Sequence, residues 1–307
     1  MKNLTLTIAV IVLCTISLYA QDMFNARQLT FDPAQEGFAT WSPDGKSIVY
    51  QYTDMSDNLG KNGLWRISPD GTGAKQIYMG VAEHPTWSPD GRFIVFDADT
   101  GQSIKMIPAE GGDPILFLSD TIQINKGGLP CWSPDALHIA FKDAGYSLCI
   151  YNLKTQKTTR VFRQEGMLLL PGCWSEDGKY VLIALMDRQS RKSTIWKVSS
   201  DGKERKQITG HHENFYRHLA LSPDGSLLIY AAYEGRYEGL YIMPAGGGVS
   251  LPLAVTSQGH NEGTSWSPDG KTITFTSTRS GSFDIWIMEL DIEQIKKAFR
   301  SGSIDKE

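Results

Sequence analysis

Short alternating apolar runs, punctuated by Gly, Pro and Asp, recur along this chain from about residue 27 to residue 290. Residues 38–42 read as a short strand, and Pro43-Asp44-Gly45 follows as a tight turn. Proline presets φ, aspartate accepts hydrogen bonds from nearby backbone N–H groups, and glycine takes a positive φ at little cost. The alternating stretch 47–52 then predicts a second strand and residues 63–68 a third; a Ser-Pro-Asp-Gly turn at 68–71 leads into a fourth around residues 75–79. Four short strands joined by tight turns make one blade of a β-propeller.

The unit is repeated. The signature Trp-Ser-Pro-Asp-Gly or a close variant begins at Trp41, Trp87, Trp132, Trp174, Leu221 and Trp266, at spacings of 46, 45, 42, 47 and 45 residues. A period of this size marks propellers and related arrays. The units start near residues 38, 84, 129, 171, 218 and 263, so six blades are expected over residues 21–290, followed by a short helix and polar tail at 291–307. The sixth unit lacks an outer strand. Arg27-Gln28-Leu29-Thr30, ahead of the first unit, matches Lys206-Gln207-Ile208-Thr209 at the end of the fourth. The predicted fold is therefore all-β: a six-bladed propeller of four-stranded antiparallel blades, its ring closed by an N-terminal strand that completes the last blade. Closure of this kind removes a free sheet edge.

With Trp266 to Lys271, Ile285-Trp286, Gly246-Gly247 and Gln28-Leu29-Thr30, the chain resembles the TolB-like, WD-repeat-like propeller family. The resemblance covers roughly residues 27–290 and implies fold far more than function. TolB itself carries an additional N-terminal α/β domain. Only residues 21–37 precede the first blade here, so a stand-alone propeller is expected. Peptidases that carry a similar propeller need a Gly-x-Ser-x-Gly elbow, which this sequence lacks.

Residues 1–20 have the form of an export signal: Lys2, an apolar core over 6–18, and Ala20 before Gln21. The core is short for a membrane span, so a periplasmic or secreted chain with no transmembrane segment after cleavage is expected. The net charge of −4 and the lack of a basic block argue against nucleic acid. Beyond Cys14, the thiols Cys131, Cys149 and Cys173 are odd in number, and Cys131 and Cys173 each precede a repeat tryptophan. They read as small buried hydrophobes.

The aspartates Asp44, Asp90, Asp135, Asp177, Asp224 and Asp269 resemble a carboxylate ladder, but each occupies the same turn and is read as structural. Functional chemistry belongs where the repeat breaks, at the channel mouth. There the segments before the six signatures bring in Glu36, Glu83, His84, Arg217, His218, His260 and Glu262, a polar funnel suited to a ligand or peptide. The loops 54–62 and 233–238 are further candidate contact surfaces. No cofactor is predicted; a divalent metal held by His84, His218 and His260 is the alternative, with chemistry similar to that of oligogalacturonate lyases. The primary expectation is a non-enzymatic scaffold that binds an envelope protein or peptide. A carbohydrate-active enzyme working on an oligosaccharide is the competing reading.

Overall fold

The computed structural model describes residues 26–56, 60–118, 128–210, 215–254 and 259–300. The export signal, His211, His212 and the tail beyond residue 300 lie outside these.

Six four-stranded antiparallel sheets form the molecule. Blade 1 is β2 (Gln35–Trp41), β3 (Ile48–Thr53), β4 (Gly63–Ile67) and β5 (Lys75–Met79). Blade 2 is β6 (Ala82–Trp87), β7 (Phe93–Ala98), β8 (Ser103–Pro108) and β9 (Leu116–Leu118). Blade 3 is β10 (Gly128–Trp132), β11 (His138–Lys142), β12 (Leu148–Asn152) and β13 (Lys157–Phe162). Blade 4 is β14 (Met167–Trp174), β15 (Tyr180–Asp187), β16 (Ser193–Ser199) and β17 (Arg205–Gln207). Blade 5 is β18 (Arg217–Leu221), β19 (Leu227–Glu234), β20 (Tyr237–Pro244) and β21 (Leu251–Ala254). Blade 6 is β22 (Asn261–Trp266), β23 (Thr272–Ser277) and β24 (Asp284–Glu289), and its fourth strand is β1 (Ala26–Gln28), paired antiparallel to β24.

The repeat turns show why the signature recurs. The Ser42 hydroxyl donates to Asp44 Oδ1 at 2.7 Å, the same oxygen accepts from Lys46 N, and Ser47 N donates back to Ser42 Oγ. Gly45 closes the turn at φ 70°. Equivalent Ser–Asp pairs occur at Ser88–Asp90, Ser133–Asp135, Ser175–Asp177, Ser222–Asp224 and Ser267–Asp269. These bonds, led by the serine hydroxyl, hold the Asp44 carboxyl below the usual range.

The tryptophans staple blades together. Trp87, Trp174 and Trp266 each donate from Nε1 to a backbone carbonyl of the preceding blade: Thr40, Cys131 and Ala220, at 3.1–3.2 Å. Apolar side chains between sheets are fully buried, including Phe96, Phe141 and Phe275. The helix α1 (Ile292–Arg300) begins with Gln294 N donating to Asp291 Oδ1 and packs Ile295 into the shared core of blades 5 and 6.

Candidate functional site at the channel mouth

Every inner strand slips by one residue in its register against the second strand just before its signature; in five blades the bulge lies three residues before the signature, and in blade 4 it falls one residue later, between Pro171 and Trp174. At the bulge, Phe38, His84, Leu129, His218 and Gly263 take φ between 50° and 62°. A β-bulge re-aims the side chain it carries, and here these residues line the central channel together with Pro85, Pro130 and Pro171. The strained backbone is held from the neighbouring blade. Phe38 N donates to Thr276 Oγ1 of blade 6 at 3.1 Å, and Leu129 N donates to both oxygens of Asp97 of blade 2 at 2.9 and 3.0 Å. Gly128 is needed for the second contact: a Cβ there would stand 2.3 Å from Asp97 Oδ1.

His84 and His218, from opposite blades, face each other across the axis with ring centroids 6.5 Å apart and nearly parallel planes. Phe38 stands beside both, 4.2 Å from His84 and 5.3 Å from His218. His84 Nδ1 lies 3.0 Å from Oδ2 of buried Asp97. Because a carboxylate only accepts, this contact assigns a proton to Nδ1.

On the opposite side, His218 Nε2 is 3.2 Å from Glu262 Oε2, and Arg217 is 3.3 Å from that oxygen and 3.5 Å from Glu238 Oε2. Burial pushes His218 below its ordinary value, outweighing the opposing hydrogen bond to Glu262. Burial alone would raise Glu262, but the His218 hydrogen bond and the charges of His218, Arg217 and His84 hold it low. Burial raises Glu238, and the neighbouring Glu262 reinforces this against Arg217. Of the two carboxyls that share Arg217, Glu262 is therefore the one whose ionised form the surroundings favour and Glu238 the one whose ionised form burial opposes.

The structure thus brings together His84, Arg217, His218 and Glu262, and sets Glu83 beside them on β6, opposite Asp97 in register. It does not bring in the other two residues. His260 packs edge-on against Tyr233 and Tyr237, with centroids 6.0 and 5.7 Å away, on the hairpin between β19 and β20. Glu36 is one position further from its signature than Glu83, Arg217 and Glu262, and is buried between blades beside Thr30, Asp284 and Asp32. Sequence reasoning missed Phe38 and Asp97, and placed Glu238 at the end of a contact loop, 233–238, rather than at the mouth. Phe38 had a signal, since it shares its place in the repeat with His84 and His218. Asp97 and Glu238 sit on second and third strands, which only tertiary packing carries to the mouth.

Among the described residues, one group offers three metal-ligand atoms within 4.8 Å of one another: His218, Glu238 and Glu262. Imidazole and carboxylate suit a divalent ion. The Arg217 guanidinium, however, already supplies positive charge to the same oxygens, so a metal would have to displace it.

The family model of the TolB β-propeller domain matches residues 139–307. An uncharacterised Agrobacterium fabrum protein, Atu1656, is 30% identical over 148 residues; the match spans 47% of each chain, so this chain covers about half the length of that curated relative. Among solved structures, TolB from Acinetobacter baumannii superposes with TM-score 0.59 at 16% identity over 86% of this chain and 65% of that one. Oligogalacturonate lyase in complex with manganese gives TM-score 0.59 at 16% identity over 87% and 93%. The Vibrio parahaemolyticus oligogalacturonate lyase gives 0.60 at 13% over 88% and 98%. At these identities the superpositions establish the fold alone.

Proposed function

Because this chain belongs to the TolB β-propeller domain family, we propose that it is exported to the cell envelope and works there as a non-enzymatic scaffold, docking a protein or peptide segment on the channel mouth. One observation carries this reading: with Phe38 beside the two imidazoles, the channel keeps a cavity of only about 120 Å³. Small-molecule sites usually offer roughly 300–1,000 Å³. A partner therefore meets the mouth as a surface, formed by Phe38, Glu83, His84, Arg217, His218 and Glu262, rather than entering a deep pocket. Arg217, His218 and Glu262 are already paired there and present fixed dipoles to a partner. The apolar leader at residues 6–18 supports export.

The test is site-specific photocrosslinking in the intact chain, with a photoreactive phenylalanine at Glu83 or, as the control on a repeat turn, at Lys203. One adduct of defined mass from Glu83 and none from Lys203 is expected, together with a mature N-terminus at Gln21. Silence at both positions would count against mouth docking.

The second reading, a metal-dependent enzyme acting on an acidic oligosaccharide, is favoured by the His218, Glu238 and Glu262 ligand set and by the fold shared with a manganese-bound lyase. Elemental analysis of the parent beside His84→Ala/His218→Ala separates the two. Stoichiometric metal lost in the double variant would move the assignment to the enzyme.

A further inference from the structure

Among the described residues, three buried carboxyl groups each leave one oxygen without a hydrogen-bond partner: Glu36 Oε2, Glu238 Oε1 and Asp284 Oδ1. A buried polar atom left unpaired costs roughly 1–3 kcal/mol, more when charged, so each calls for a reason. Glu238 has Arg217 beside it and belongs to the mouth. Glu36 and Asp284 differ, because neither forms an ion pair with a Lys, Arg or His among the described residues.

Both lie at the seam where the ring closes. Glu36 N donates to Phe283 O at 2.8 Å, which fixes β2 of blade 1 against the start of β24 in blade 6. The Thr30 hydroxyl, just past β1, accepts from Ile285 N at 3.0 Å and hydrogen-bonds the Glu36 carboxylate. Asp284 Oδ2 accepts from the Ser280 and Ser282 hydroxyls, leaving Oδ1 unused. Asp32 accepts from Tyr52, and Tyr50 lies close to Glu36. Glu36 and Asp284 are 3% and 1% exposed. The polar side chains recorded around the two carboxyls, Thr30, Asp32, Tyr50, Ser280 and Ser282, offer carboxylate and hydroxyl oxygens, which is the donor chemistry of a hard cation. Two uncompensated carboxylates at this depth repel each other and lose hydration, and a divalent ion cancels both effects at once.

We propose that this seam binds a hard divalent cation of the calcium class between Glu36 Oε2 and Asp284 Oδ1, with hydroxyl oxygens and water completing its coordination. The cation clamps the N-terminal strand to the last blade, so ring closure responds to the cation concentration around the protein. The inference is independent of what docks at the mouth.

The experiment is thermal unfolding of the full mature chain, first stripped with EDTA and dialysed, then supplied with calcium alone or magnesium alone. At a hundredfold excess over Kd, calcium should raise Tm by about 5 °C. Glu36→Gln and Asp284→Asn should each abolish the shift, whereas His218→Ala at the mouth should keep it. Should either seam variant fail to fold, terbium alone on the parent provides a second readout: sensitised emission through Tyr50 and Tyr52, displaced by calcium, is expected. No shift with either ion and no sensitised terbium would overturn the proposal. So would a shift that survives both seam substitutions. Tm that rises only on acidification would identify a proton, not a metal, as the neutralising group.

Discussion

Arg217 is the residue on which the mouth depends. Among the described residues its guanidinium is the only cation within ion-pair distance of Glu238, and with His218 it also faces Glu262. Arg217→Met should destabilise the fold by about 3 kcal/mol, because breaking a buried pair leaves carboxyl groups uncompensated. Adding Glu262→Gln should recover much of that loss, because Glu262 is the carboxylate the cluster holds ionised, and urea denaturation of the two single variants and the double variant measures the coupling. Glu36 provides the pH-sensitive counterpart. Burial first, then the nearby Asp284 and Asp32, push its carboxyl up to about 7. A carboxyl raised in the folded state holds a proton that the unfolded chain releases, so in the metal-free protein stability falls as pH rises from about 4.5 to about 7 and then levels off. The span corresponds to about 3 kcal/mol. Glu36→Gln should flatten that slope, making the variant the more stable protein at pH 8 in EDTA, read from urea midpoints at pH 5 and pH 8.

Among the structural elements, the inner-strand bulge does the positioning. The left-handed conformation at Phe38, His84, Leu129 and His218 is costly for residues with a Cβ, and a hydrogen bond from the adjacent blade holds it at Phe38 and Leu129. Gly128→Ala tests this arrangement. The added methyl would meet the Asp97 carboxylate and sit at φ 112°, so Asp97 must move from both Leu129 N and His84. A loss of at least about 2 kcal/mol is expected, with a shift of the His84 imidazole resonances by NMR, whereas the solvent-exposed Gly248→Ala, with nothing within 4 Å of its Cβ, should leave His84 unperturbed.

The whole molecule is a closed ring, and its closure rests on a three-residue strand. β1 pairs Ala26, Arg27 and Gln28 with β24, and Leu29 beyond it is 3% exposed, within the cluster formed with Ile285 and Ile287. A substitution only three residues beyond the first described residue should therefore behave as a core substitution. Leu29→Ala is expected to cost about 2–5 kcal/mol and to retain a single unfolding transition. Two separated transitions in calorimetry would indicate that blade 6 closes independently of the ring.

The sequence by itself determined the blade, its number and its closure. Each rests on local chemistry repeated at a fixed spacing: the Ser-Pro-Asp-Gly turn at Ser42 to Gly45, the alternation at Ile48 to Tyr52, and Gln-Leu-Thr at residues 28–30 standing in for a missing strand. It also marked His84, Arg217, His218 and Glu262, because all four lie on inner strands just before the signature. Only the tertiary structure separated Glu36 and His260 from that set. A one-residue change of position in a strand turns a side chain to the opposite face, which sends Glu36 between blades, and a long hairpin carries Tyr233 and Tyr237 against His260. Asp97 and Glu238 joined the mouth from other strands for the same reason: which carboxylate reaches which imidazole is a contact between segments far apart in sequence, fixed by how the blades pack and by no local pattern.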